Sequence, residues 1–243
     1  MHLVAPALKI VLKCMSRKRY FNFLLVFALV VSNGWAQEEV LYKQIDTIKL
    51  IMEVHRPPDM EATKKYPAMV FFFGGGWNGG TIKHFENHAQ YFSKRGLVCF
   101  LVDYRVASKH GTTPFESLKD AKSAIRFVRA NAEKFQIEPD KIIASGGSSG
   151  GHLAAATATI AKYSESSDDL TVSCVPNALV LYNPVIDNGP GGYGYERIGE
   201  AYKDFSPIHN IKKGAPSTIM HLGTKDKLIP VETAEYYKMV MQK

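Results

Sequence analysis

The 243-residue chain has no internal repeat, no heptad pattern and no low-complexity segment, which excludes a solenoid, a coiled coil and a disordered array. A membrane-spanning run is also missing at the N-terminus. The apolar stretch over residues 21–31 falls short of the roughly 20 residues a spanning helix needs. Acidic residues are absent from residues 1–36, where Lys9, Lys13, Arg17, Lys18 and Arg19 account for five of the seven net positive charges. The remainder is close to neutral and carries no footprint for nucleic acid. Cysteine is scarce, three in all, and beyond residue 36 only Cys99 and Cys174 remain. Cys99 lies in the apolar run Leu97–Val102 and reads as a buried thiol. An exported location permits its pairing with Cys174, but the spacing does not indicate it.

The N-terminus has the layout of a secretory signal peptide. A basic region precedes Phe21–Val31, and Gly34-Trp35-Ala36 supplies a small-x-small cleavage site. Residues 1–36 are therefore expected to be a leader, with Met15 a second possible start and a retained anchor the competing reading. The expected location is secreted or periplasmic, with no stable membrane span after cleavage. Residues 37–243 read as one domain, and the 46% hydrophobic content of the full chain suits a sizeable core.

Strand and helix signals alternate along that domain. Val40–Ile45 and Ile48–Val54 predict an edge hairpin. Pro67–Phe73 and Leu97–Val102 are continuous apolar runs of buried parallel-strand type. Residues 84–95 predict a helix closed by Gly96. Pro114–Phe135 predicts a long amphipathic helix with Leu118, Ala121, Ile125 and Val128 on its apolar face. Ala178–Tyr182 and Pro216–Leu222 predict further strands, and residues 231–242 a helix. Such alternation implies an α/β fold, a mostly parallel central sheet with helices on both faces.

The most informative stretch is Ile142-Ile143-Ala144-Ser145-Gly146-Gly147-Ser148-Ser149-Gly150-Gly151-His152. A β-branched run enters a glycine-rich corner and a helix former leaves it, expected to run to about Lys162. G-x-S-x-G in that context is a nucleophile elbow: the serine sits on a strained turn, and glycines on either side remove Cβ atoms that would collide. The pattern fits twice, centred on Ser148 and on Ser149. Ser148 leaves the shorter connection to the strand, and Ser149 then offers its N–H at a helix N-terminus. The plain alternative is a Gly/Ser-rich loop cradling phosphate, but the lysine of a P-loop is missing.

Four features in order resemble the α/β-hydrolase superfamily, and within it the hormone-sensitive-lipase-like, BD-FAE-like acetyl esterase/lipase type. They are Gly74-Gly75-Gly76-Trp77, Asp103-Tyr104-Arg105, the elbow, and Gly223-Thr224-Lys225-Asp226. The resemblance spans residues from about 40 to 243. It implies Ser148 as nucleophile, Asp226 as triad acid, and Gly75, Gly76 and Ser149 as oxyanion-hole donors. Asp187 is the rival acid. The family commonly places histidine before the glycines, where this chain has Phe73, expected to pack beneath the loop. Trp77 and Tyr193 are expected to shape the substrate pocket.

A histidine is lacking where the family order, serine then acid then histidine, requires one. None follows Asp226. His84 and His88 share a predicted helix face but have no Glu or Cys support for a metal, and read as surface. His152, His209 and His221 all precede the acid. The resemblance thus implies a triad histidine, a last strand and a helix beyond Lys243. The expected function is an exported serine hydrolase acting on small-molecule carboxylic esters through an acyl-enzyme, with short-chain acyl or acetylated carbohydrate substrates and no metal or organic cofactor. The alternatives are a prolyl-oligopeptidase-like peptidase and a non-catalytic ligand-binding member of the fold.

Overall fold

The computed structural model describes residues 38–242. The expected leader over residues 1–36 lies outside them. Seven strands form one sheet in the order β1-β2-β4-β3-β5-β6-β7. They are β1 (Glu38–Ile45), β2 (Ile48–His55), β3 (Tyr66–Phe72), β4 (Val98–Val102), β5 (Ile137–Gly147), β6 (Ala178–Tyr182) and β7 (Ser217–His221). β1 and β2 pair antiparallel around a turn in which Asp46 takes a left-handed φ of 50°. β2 is antiparallel to β4, and every later pairing is parallel.

The helices are α1 (Glu86–Ser93), α2 (Ala107–His110), α3 (Pro114–Ala130), α4 (Ala132–Phe135), α5 (Ser149–Thr159), α6 (Tyr195–Ile198), α7 (Tyr202–Phe205) and α8 (Val231–Met241). Successive strand side chains point to opposite faces, and β3 divides accordingly. Val70 and Phe72 join Leu118, Ala121 and Ile125 of α3 and Leu153 and Ala154 of α5 in the main core. Met69 and Phe71 face Phe85 and Ala89 on the α1 side. Helices therefore cover both faces, as the alternation predicts. Among the described residues no helix is long and apolar enough to cross a membrane.

Three expectations need correction. The helix expected over Pro114–Phe135 is two helices, because Asn131 (φ −101°, ψ 25°) ends α3 and Gln136 (φ 53°) closes α4. The elbow helix ends at Thr159 rather than Lys162. There the buried ammonium of Lys122, on α3, donates to the carbonyl of Ile160 (2.6 Å) and to that of Lys162. Burial pushes the Lys122 amine down to about 8. The helix expected from residue 84 begins as a 3₁₀ turn, Ile82–Phe85, before α1. Cys99 is buried as expected, and both Cys99 and Cys174 are free thiols.

Candidate functional site

β5 delivers the glycine-rich corner and α5 takes the chain away, with Ser148 as the residue between them. Ser148 has φ 54° and ψ −123°, a conformation that costs a non-glycine residue of order 1–3 kcal/mol. Its backbone is held from three directions. The N–H donates to the Tyr182 carbonyl (3.0 Å), and the carbonyl accepts from His152 N (3.0 Å) and Val185 N (3.1 Å).

The flanking glycines distinguish the two registers. A Cβ on Gly150 would overlap the carbonyl oxygens of Phe72 and Phe73 at the end of β3, and one on Gly146 would overlap Gly150 and lie 2.7 Å from the Phe72 oxygen. A Cβ on Gly147 would meet the Phe85 ring at 3.3 Å and the Tyr182 oxygen at 3.6 Å, and one on Gly151 would lie 2.8 Å from the Pro184 Cβ and 2.9 Å from its Cα. The tightest backbone approach is thus two residues before and two after Ser148. Ser148 is half-buried, whereas Ser149 is fully buried.

The loop after β3 lies against this corner: a Cβ on Gly74 would sit 3.3 Å from the Ser148 Cβ. In a trans peptide the C=O and N–H point in opposite directions. The Gly75 carbonyl accepts from Asn78 N (3.1 Å) and Gly79 N (3.2 Å). The Gly74 carbonyl faces Gly80, whose Cβ would lie 2.5 Å from it. The N–H groups of Gly75 and Gly76 therefore both project away from the 79–80 turn. Ser149 opens α5, where the first N–H groups have no intrahelical acceptor.

Phe73 is buried beneath this loop, as expected. Its ring stacks on Tyr104 at 4.0 Å, and the Tyr104 hydroxyl donates to the Phe73 carbonyl at 2.6 Å. A Cβ on Gly80 would run into the Phe73 ring. Tyr104 thus supplies the hydrogen-bonded anchor that Phe73 cannot. The sequence signalled Tyr104 only as part of a three-residue string.

Trp77 and Tyr193 line a cleft of about 530 Å³ together with Gly75, Gly76, Asn78 and Arg197. Trp77 is itself almost wholly buried, so it forms a wall of the cleft from behind the loop. Arg197 went unnoticed in the sequence.

Asp226 stands in the turn after β7. Its carboxylate accepts from Asn183 Nδ2, from Leu228 N (2.8 Å) and from Ile229 N (3.0 Å), and these donors hold it below the usual carboxylate range. Among the described residues no histidine hydrogen-bonds Asp226. The rival, Asp187, accepts from Gly189 N (2.8 Å) and lies 4.0 Å from His209 Nδ1.

His152 is unsuited to be a base. Its Nε2 lies 2.9 Å from the Phe205 carbonyl, its ring stacks on Phe205 and meets Trp77 edge-on, and burial drives its pKa down to about 3. His221 stacks on Tyr182 at 5.3 Å. Of the His84–His88 pair, His84 is exposed as expected, whereas His88 is half-buried against Phe71, Phe85 and Tyr182. Among the described residues no cluster of three metal-ligating side chains occurs.

Residues 52–188 match the BD-FAE family model. Esterase LipC of Mycobacterium tuberculosis is 30% identical over 208 residues, which are 77% of this chain and 51% of the relative. An acetylxylan esterase of Xylanibacter ruminicola is 25% identical over 92% of this chain and 46% of its own length. The chain spans about half the length of the curated relatives it matches. The solved apo form of Thermogutta terrifontis esterase 2 superposes with a TM-score of 0.81 at 38% identity, covering 86% of this chain and 80% of that one. A mostly parallel sheet, an elbow at the end of β5 and a family model matching more than half the residues agree: the chain is an α/β-hydrolase-fold protein and belongs to the BD-FAE family.

Proposed function

We propose that this chain is a carboxylic ester hydrolase in which Ser148 is the nucleophile. The observation that carries the reading is the strained, half-buried Ser148 at a strand–helix junction, with the glycine loop packed against it on one side and a helix N-terminus on the other. Ser148 Oγ attacks the ester carbonyl carbon while a histidine base takes its proton. The N–H groups of Gly75, Gly76 and Ser149 hold the oxyanion, each donor worth about 10²–10³ in rate. Collapse expels the alcohol, and water then releases the acid from the acyl-enzyme. Asp226, held ionised by its three donors, is the group that orients the base. Solved forms of Thermogutta terrifontis esterase 2 phosphorylated by paraoxon and bound to butyrate support a reactive nucleophile and a short acyl chain. The acetylxylan esterase relative adds acetylated carbohydrate as a candidate substrate class.

Turnover of p-nitrophenyl acetate is expected for the parent and not for Ser148→Ala. Equal turnover in both would overturn the assignment. One observation favours the ligand-binding alternative, namely that Asp226 has no histidine partner among the described residues. A parent chain that binds the ester without hydrolysing it would establish that alternative.

We also propose export through the leader, on the strength of its basic region, apolar core and Gly34-Trp35-Ala36. N-terminal sequencing of exported protein should begin at Gln37. Membrane-bound protein starting at Met1 or Met15 would point to an anchor.

A further inference from the structure

The glycine loop is held by its carbonyls. Gly75 O accepts from Asn78 N and Gly79 N, Trp77 O from Ala107 N (3.0 Å), and Asn78 O from Ser108 N (2.9 Å). These are backbone donors, fixed by the fold whatever the side chains. The Gly76 carbonyl differs: it accepts from Nη1 of Arg197, 121 residues along the chain.

That peptide is where the loop is under most strain. Gly76 has φ 62°, and Trp77, a bulky residue, follows at φ 57°. Such conformations persist only where the surroundings over-determine them. The Gly75–Gly76 peptide plane is fixed by the Asn78 and Gly79 donors. The next plane, Gly76–Trp77, carries the carbonyl that Arg197 holds. The Gly76 N–H lies in the first of these planes; the second, between two residues at positive φ, is the one that only a side chain holds.

Arg197 is built to do this. It lies on α6, in the glycine- and tyrosine-rich segment after β6. Its guanidinium sits 5.5 Å from the Tyr193 ring, and the Tyr193 carbonyl is tied to Asn188 Nδ2 (2.9 Å). Gly76 is packed directly beneath: a Cβ there would meet the Tyr193 hydroxyl at 2.7 Å and Arg197 Nη1 at 2.9 Å. The second guanidinium nitrogen pairs with Glu196 (3.0 Å), an exposed contact of little energetic weight.

We propose that Arg197 is a positioning residue: by gripping the Gly76 carbonyl it pins the Gly76–Trp77 peptide in its positive-φ conformation, and so keeps the loop that carries the Gly75 and Gly76 N–H donors in place beside Ser148. This rests on reading those N–H groups as the oxyanion hole.

The test compares the parent with Arg197→Ala and Arg197→Lys by amide hydrogen exchange of residues 74–80 and by steady-state kinetics on p-nitrophenyl acetate. In Arg197→Ala, exchange in the loop should rise about tenfold. kcat should fall between about tenfold and a hundredfold, as expected for a slightly misplaced donor, with KM within about threefold of the parent. Lysine keeps a cation but not the planar fork, and should recover part of both effects. Unchanged exchange with kcat within about twofold of the parent would overturn the proposal. So would a raised KM with kcat preserved, which marks a substrate contact instead. A parent without turnover would sink the esterase reading, and the exchange comparison alone would then decide whether Arg197 holds the loop.

Discussion

Gly150 and Gly147 differ in what stands closest to them, backbone oxygens at one and an aromatic ring at the other. A methyl on Gly150 has backbone on its far side, the oxygens of Phe72 and Phe73, which cannot move without distorting the central sheet. A methyl on Gly147 meets the edge of Phe85, which can rotate away. Gly150→Ala should therefore cost about 3 kcal/mol, at the upper end for overpacking, and Gly147→Ala about 1 kcal/mol or less. Urea unfolding of the two variants measures this. The reverse order would mean that the elbow is centred on Ser149. In the sequence the two registers were told apart only by the length of the connection to the strand. What separates them physically is the approach of β3, a contact between segments some 75 residues apart that no local pattern records.

Among the elements, the loop after β3 depends on how its first residue is buried. Phe73 is sandwiched between Tyr104 and the turn at Gly80. Phe73→Ala should lower stability by about 3–5 kcal/mol, the usual cost of emptying a buried phenylalanine site. A melting temperature within a degree or so of the parent would contradict that packing. β6, Ala178–Tyr182, was legible to the residue, because an apolar run closed by Asn183-Pro184 leaves little choice. The end of α5 was not. Its stop comes from Lys122, which stands on the apolar face of α3 between Ala121 and Ile125. A lysine at such a position is a sign of a buried cation, but its partners lie just past the end of another helix. Arg197 was illegible for the same reason: its acceptor is a backbone carbonyl 121 residues away.

For the molecule as a whole, strand order explains where the site lies. From β3 the chain moves to β4 on one side, and β5 then returns to the other side of β3. Loops leaving adjacent strands in opposite directions open a crevice at their carboxyl ends, the place where open α/β sheets bind ligands. The glycine loop leaves β3 there and Ser148 leaves β5 there. The alternation of strands and helices in the sequence implied such a sheet but not its order, which the parallel pairing of β3 with β5 establishes.

The most direct test is to treat the protein with a fluorophosphonate and locate the adduct by peptide mass spectrometry. The account predicts a single adduct, on Ser148, lost in Ser148→Ala and retained in Ser149→Ala. An adduct on Ser149, or labelling that survives Ser148→Ala, would contradict it.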